Sequence, residues 1–303
     1  MEKNSSTRVS RSTMPTRMAA WGLAVVAIVT MAGCGGLLKI GYKNGDTTGL
    51  FIMNRYLDLS SEQKEFVKPR LRALLAWHKS TQLPDYSRFA TELQKKAQAQ
   101  TTPAEVAALR EQSRRRAYAT IDHALPAMAD IALHLTSDNI QTLQDKFGEE
   151  DDKWSEENLT GDLEKRQKAR YDKTLDRVEE WYGRFSKAQR AEIRKLSDAR
   201  PLDNGILFAE RQRREQDLIT MLNRVARDKP PRDAVIAMMK TYEEHFEQAP
   251  DPDRRAFIDS LHRTTDEMNA AIQNLATPQQ RAKAVAKLQE WIDDFRSLSG
   301  EAD

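Results

Sequence analysis

Residues 277–298 read TPQQRAKAVAKLQEWIDDFRSL. Within them Val285, Leu288, Ile292, Phe295 and Leu298 recur at steps of three and four, the period that lays apolar side chains along one face of an α-helix. Ahead of this stripe, Thr277 and Gln280 make a capping box. In that device a Ser or Thr hydroxyl accepts from an early backbone N–H, and the Gln or Glu three residues on reaches back to the N–H of the cap. Pro278 takes the first helical position, where its missing N–H costs nothing. A cap, a proline and a stripe in this order predict one long helix.

The same device recurs along the chain. Ser60-Ser61-Glu62-Gln63, Thr102-Pro103-Ala104-Glu105 and Ser186-Lys187-Ala188-Gln189 all fit, and Thr136-Ser137-Asp138-Asn139 is a variant with a shorter amide. Further stripes run through Tyr171, Leu175, Val178, Tyr182 and Phe185, through Val235, Met239, Tyr242 and Phe246, and through Met268, Ile272 and Leu275. Such stripes are the core-facing sides of amphipathic helices. The helix starts follow no fixed period, so no solenoid repeat is read. Five glycines fall within residues 35–49 and only five more from residue 50 onward, too few for the turns of a β-rich domain. The expected fold is all-α, an elongated bundle of about nine helices, most of them roughly 15–25 residues long. Pro69 and Pro126 are expected to kink or end their helices. An internal hinge is expected near residues 199–205.

The amino end has a different character. Arg8, Arg11 and Arg17 precede an almost unbroken apolar run from Met18 to Thr30, and Ala32 and Gly33 then precede Cys34. Basic start, apolar run and small-residue exit make residues 1–33 a secretory signal peptide. The run is 13 residues long, short of the ~20 that span a bilayer. Met31-Ala32-Gly33-Cys34 resembles the lipobox of bacterial lipoproteins, with Met31 where Leu is usual. The resemblance implies cleavage before Cys34, a diacylglyceryl group on its thiol and a further acyl chain on its new amino group. One acyl chain binds a membrane marginally, whereas two or more hold it firmly. In that family an Asp after the cysteine retains the protein at the inner membrane. Gly35 and Gly36 stand there instead, which implies the outer membrane, facing the periplasm. Residues 34–50 are expected to form a flexible Gly-rich tether reaching about 20–23 Å, and residues 51–303 the helical domain.

Composition narrows the function classes. Charged residues make up 31% of the chain and hydrophobic ones 39%, which excludes a polytopic membrane protein. A single cysteine excludes a disulfide scaffold or a cysteine-based zinc site. The net charge of +2 gives no support to a nucleic-acid partner. Without residues 1–33 the balance becomes 44 basic against 45 acidic side chains.

No phosphate-gripping glycine loop follows the tether, and no G-x-S-x-G elbow occurs. His78, His123, His134, His245 and His262 never form H-E-x-x-H, and Asp259–His262 only partly matches a di-iron pattern. The Glu-Ser dipeptide of lytic transglycosylases is absent. No catalytic residue, metal or cofactor is therefore expected beyond the lipid on Cys34. Two charge clusters remain. Glu149, Glu150, Asp151, Asp152, Glu156 and Glu157 surround Trp154, and read as an exposed helix end. Arg114, Arg115 and Arg116, with Arg211, Arg213 and Arg214, have Glu111, Glu210 and Glu215 nearby on the same helices, and read as salt-bridged solvent faces.

Two family resemblances bear on function. Leu57-Asp58-Leu59-Ser60-Ser61-Glu62-Gln63, then Ala76-Trp77-His78 and Leu83-Pro84-Asp85-Tyr86, resemble an uncharacterised family of helical lipoproteins from proteobacteria. That resemblance implies location and fold and brings no activity. Trp77, His78, Pro84 and Tyr86 would form a surface or junction in it, with packing of the first helices as the plain alternative. Leu59-Ser60-Ser61-Glu62-Gln63 and Leu135-Thr136-Ser137-Asp138-Asn139 also look like the L-T-x-x-Q motif of small periplasmic helical chaperones. Phe185-Ser186-Lys187-Ala188-Gln189 and Ala276-Thr277-Pro278-Gln279-Gln280 are more distant versions. The expected function is a non-catalytic binding or scaffold protein of the envelope with a protein partner. A holdase and a peptidoglycan-acting enzyme are the alternatives.

The anchor has a direct test. Replacing Cys34→Ala is expected to move the protein from the membrane pellet to the soluble fraction after cell fractionation. A variant that stays membrane-bound with an unchanged detergent requirement would refute the lipid anchor.

Overall fold

The computed structural model describes Tyr42 and residues 44–300; Cys34, the signal segment and most of the expected tether lie outside the described residues. The described chain is helical and contains no strand. Its α-helices are α1 (Gly45–Leu57), α2 (Ser61–Trp77), α3 (Leu83–Ala97), α4 (Pro103–Leu133), α5 (Ser137–Asn158), α6 (Leu163–Tyr182), α7 (Lys187–Asp198), α8 (Asn204–Asp228), α9 (Arg232–Glu247), α10 (Pro252–Leu275) and α11 (Pro278–Ser299). A π-helical turn, His78–Gln82, joins α2 to α3 without a break. The all-α expectation holds, with more helices than the nine expected.

Three of the expectations concern backbone chemistry. The tether was expected to run to residue 50, yet Gly45 and Gly49 are buried in α1. A Cβ on Gly45 would stand 2.8 Å from Leu75 Cδ1, and one on Gly49 3.3 Å from Leu71 Cδ1. These glycines let α1 lie closely on α2, so their role is packing and not flexibility. Pro69 and Pro126 do not end their helices; both lie inside, in α2 and α4. The expected hinge is a short link between α7 and α8, residues 199–203.

The stripes face the cores as expected, that of α6 half-buried and the others with fully buried members. The first core gathers α1, α2, the second half of α4, α5, α8 and α9 around Leu143, Leu222, Val225 and Val235. A second joins α3 to α11 through Leu83, Ala90, Leu288 and Ile292. The third packs Ile193 of α7 and Met268 and Ile272 of α10 against Tyr171, Leu175, Val178 and Tyr182 of α6. Fully burying each such aliphatic side chain contributes roughly 1.5–3 kcal/mol.

All five capping boxes form. Four of them do more than cap. The Gln63 Oε1 accepts from its own cap, leaving its amide donors free; Nε2 donates to the His134 carbonyl at 2.8 Å and to Asn139 Oδ1 at 2.7 Å. Asn139 Nδ2 returns a bond to the Leu57 carbonyl at 2.8 Å. The α1–α2 hairpin and the α4–α5 hairpin are thus tied tip to tip. The same arrangement recurs at α6–α7 and α10–α11. Gln189 Nε2 donates to the Leu275 carbonyl at 3.0 Å and Gln280 Oε1 at 2.8 Å, and Gln280 Nε2 donates to the Arg184 carbonyl at 3.0 Å. Each amide satisfies orphan N–H groups of its own helix and carbonyls at the end of its partner's. The residue before each cap, Leu59, Leu135, Phe185 and Ala276, is buried beneath the tie.

The Thr102 box ends in Glu105, whose carboxylate has no N–H to give, and it makes no such tie. The two locks predict strong coupling. Gln189→Ala and Gln280→Ala should each cost about 1–3 kcal/mol in urea unfolding, since each leaves buried carbonyls unmet. The double variant should cost clearly less than their sum, and strict additivity would refute the tie.

Candidate functional site

Trp77, His78, Pro84 and Tyr86 meet where the α2–π–α3 run crosses α4. Trp77 stacks on His123 of α4, with ring centroids 3.7 Å apart. His78 is buried and shares a 2.7 Å hydrogen bond between its Nδ1 and the Tyr42 hydroxyl. Desolvation pushes the His78 pKa down to about 4, so the ring is neutral at ordinary pH. The Tyr86 ring stands edge-on to His78, and its hydroxyl lies 3.3 Å from Thr120 Oγ1. Pro84 sits in the first turn of α3. His78 is the buried centre of this junction, with Tyr86 packed on it and Trp77 half-buried at its edge.

The charge clusters lead elsewhere. Arg114 behaves as expected, bridging Glu111 at 2.7 Å and Glu247 at 2.6 Å on an open face. Arg211, Arg213 and Arg214 do not lie on a solvent face; they lie half-buried on α8. Glu210, 2% exposed, is held by Arg213 and by Arg214 at 3.6 Å, while Arg213 also donates to the His245 carbonyl at 2.7 Å. In the acidic segment around Trp154, Glu149, Asp152, Glu156 and Glu157 are exposed as expected, while Asp151 and Glu150 turn inward. Asp151 is buried and accepts from Arg211 Nε at 2.6 Å, the Tyr56 hydroxyl donates to Glu150, and Trp154 stacks on Phe208. Glu150 and Asp151 thus meet Arg211 of α8, whereas Arg213 and Arg214 pair with Glu210 and Asp217 of their own helix.

Beside this network opens a cleft of about 410 Å³. Trp154, Glu157 and Asn158 of α5 form one wall, and Arg166, Arg170, Lys173 and Arg177 of α6 the facing one. The α7–α8 link contributes Arg200, Pro201 and Leu202, α8 contributes Leu207, Arg211, Arg214 and Glu215, and Phe246 and Leu261 close the end. Arg211 and Arg214 are paired with the acids named above. The other five cations have no ion pair among the described residues, and the acids lining the cleft are Glu157 and Glu215.

The arrangement has a local cause. Positions 166, 170, 173 and 177 recur at steps of four, three and four and share one face of α6. The apolar stripe of Tyr171, Leu175, Val178 and Tyr182 lies about 140° away round the same helix. Burying the stripe in the third core therefore turns the cations toward the cleft. Arg170 donates from Nη1 to the Pro201 carbonyl at 2.8 Å and from Nη2 to the Arg200 carbonyl at 3.2 Å, which pins the link. The Nε groups of Arg170 and Arg200 are buried and have no partner. Burial, then the charges of Arg170 and Arg177, push the Arg200 pKa down to about 10. What such a place does chemically is accept an anion.

The sequence analysis named none of Arg166, Arg170, Lys173, Arg177 or Arg200. Their signal was the helical spacing of four cations, visible once the opposite stripe is assigned to the core. Among the described residues no three His, Cys, Asp or Glu side chains gather to hold a metal, and no helix is long and apolar enough to cross a membrane.

A family of unknown function, DUF6279, matches residues 55–249. The chain belongs to that family. The matched segment of this DUF6279 member contains every cleft residue named here except Leu261, together with the whole first lock. It stops before α10 and α11, which complete the second lock, and begins after Met31–Cys34. No curated protein and no solved structure matches the chain.

Glu215 supplies a pH test. Desolvation first, then the neighbouring carboxylates Asp151 and Glu150, raise its pKa to about 8 against the pull of Arg211. Between the ordinary glutamate value and about 8, the folded state keeps a proton that the unfolded chain releases, so this group's contribution to stability falls as pH rises. Glu215→Gln keeps the hydrogen-bonding shape without the proton. The variant should gain stability relative to wild type from pH 5 to pH 8 in thermal unfolding and then hold a constant lead. A difference independent of pH would refute the raised pKa.

Proposed function

We propose that this DUF6279 member is a lipid-anchored protein of the outer membrane's periplasmic face that works by binding in its interhelical cleft, without catalysis. The signal segment, the lipobox resemblance and Cys34 support the anchor. The observation that carries the binding role is the cleft itself: a preformed cavity lined by five cations without acid partners, in an interior where Arg190, Arg194, Arg211 and Arg213 are all paired.

Two observations weigh against the alternatives. A holdase or a scaffold docking through apolar surface needs an exposed apolar patch. Among the described residues the large exposed hydrophobics are Phe51 on α1 and Leu163 at the start of α6, which stand apart in sequence and on different helices. A glycosidase-type cell-wall enzyme needs a pair of free carboxylates in the cleft. Glu157 is exposed there, but Glu215, the other acid of the lining, is tied up by Arg211 at 2.9 Å.

A photoreactive residue in place of Lys173, at the exposed rim of the cleft, tests the reading in cells. One or two discrete adducts by intact-mass analysis are expected, and Arg200→Gln should abolish them. A broad set of exported chains, enriched under envelope stress, would replace this reading with the holdase. No adduct at all would overturn it.

A further inference from the structure

We propose that the cleft binds a phosphate monoester attached to an apolar body, with Arg177 and Arg200 gripping the phosphoryl group on a wall positioned by Arg170. This deepens the reading of the cleft as a binding site by naming the ligand class. Three observations converge on it.

The first is charge. Arg166, Arg170, Lys173, Arg177 and Arg200 line one cavity without ion pairs among the described residues. A carboxylate brings one charge and is matched by a single bidentate guanidinium. A phosphate monoester brings about −1.5 to −2 and three acceptor oxygens, which suits several cations at once.

The second is hydrogen-bonding capacity. Arg170 spends both terminal amino groups on the carbonyls of Arg200 and Pro201, so it fixes the link that carries Arg200. The side chains of Arg177 and Arg200 have no hydrogen-bond partner among the described residues, and the Arg200 Nε is buried as well. An unmet buried donor costs stability until an acceptor arrives. The lowered Arg200 pKa, caused by burial and by Arg170 and Arg177, reports the same unbalanced positive field.

The third is the remaining lining. Trp154, Leu202, Leu207 and Phe246 share the cavity with the cations. Free phosphate would leave this surface wet, whereas an apolar body attached to the phosphoryl group would cover it. A volume of about 410 Å³ holds a small organic ligand. The ester's source is either a phosphorylated lipid headgroup or a soluble phosphate ester, and the chemistry recognised is the same.

The test uses the full chain in a neutral detergent and isothermal titration with four probes: inorganic phosphate, phenyl phosphate, benzoate and short-chain phosphatidic acid. Phenyl phosphate should bind at least about tenfold more tightly than benzoate or inorganic phosphate. Arg177→Gln should weaken phenyl phosphate by about tenfold or more, the loss expected for one charged hydrogen bond. Because Arg177 is exposed and bonds to nothing among the described residues, this variant should keep its helical circular dichroism. Arg88→Gln on α3, which removes an exposed salt bridge to Asp85, should leave binding unchanged. Tighter binding of phosphatidic acid than of phenyl phosphate assigns the lipid source, and equal or weaker binding the soluble one. Benzoate binding as tightly as phenyl phosphate, or an Arg177→Gln variant with undiminished affinity, overturns the inference. If neither phosphate ester binds while Lys173-position adducts form, the ligand class is wrong and the binding role stands. If the adducts are also missing, both fall.

Discussion

The structure depends on an amide that bonds in two directions. In each lock, the oxygen of a Gln or Asn closes the capping box of its own helix, while its nitrogen ties to the end of another hairpin. Helix ends are where backbone groups lose their partners, and burying two such ends against each other would ordinarily be costly. Here the two sets of orphans are complementary. N-terminal donors are met by side-chain oxygens, and C-terminal carbonyls by side-chain N–H groups. That lets Leu59, Leu135, Phe185 and Ala276 be driven inward directly beneath the tie. Lys229, itself in the left-handed conformation that ends α8, adds a bond to the Leu133 carbonyl at 2.8 Å at the first lock.

Most of the architecture was legible in the sequence, and particular residues show how. The stripes at Tyr171–Phe185, Val235–Phe246, Met268–Leu275 and Val285–Leu298 turn to the cores as helical periodicity requires, and no strand among the described residues competes for them. The boxes at Ser60, Thr102, Thr136, Ser186 and Thr277 all form. Their pairing was also written in the sequence, in the difference between an amide and a carboxylate at the third position. Gln63, Asn139, Gln189 and Gln280 can donate onward and Glu105 cannot. Which amide meets which was not legible, since partners lie 76 and 91 positions apart.

What failed to read shares one cause: local rules do not know their neighbours. Gly45 and Gly49 sit in a glycine-rich run and look like tether, until Leu71 and Leu75 of α2 occupy the space their side chains would have filled. Arg211 looks like part of a solvent face because Glu215 stands one turn away, and Asp151 like part of an exposed helix end because Glu149, Asp152, Glu156 and Glu157 around it are exposed. The structure instead sets Asp151 and Glu150 of α5 against Arg211 of α8. The cleft escaped for a related reason. Four cations on one face of α6 read as an ordinary wet surface until the opposite face is assigned to a core.

These features together explain how like charges can be held in one place. Arg166, Arg170, Lys173 and Arg177 belong to a helix whose apolar face is fixed by the third core and whose end is tied by the second lock. Trp154 and Asn158 of the facing wall belong to α5, whose start is tied by the first. Arg170 fastens the α7–α8 link between them. A flexible surface would relieve the repulsion among these cations by turning side chains outward. Lys173 and Arg177 are exposed and keep that freedom, whereas Arg170 is held by the link and the buried Nε groups of Arg170 and Arg200 remain without acceptors. A scaffold that holds donors in place before any acceptor arrives has already met much of the ordering cost of binding. The rigidity built from the paired amides and the unbalanced charge of the cleft are therefore two parts of one arrangement.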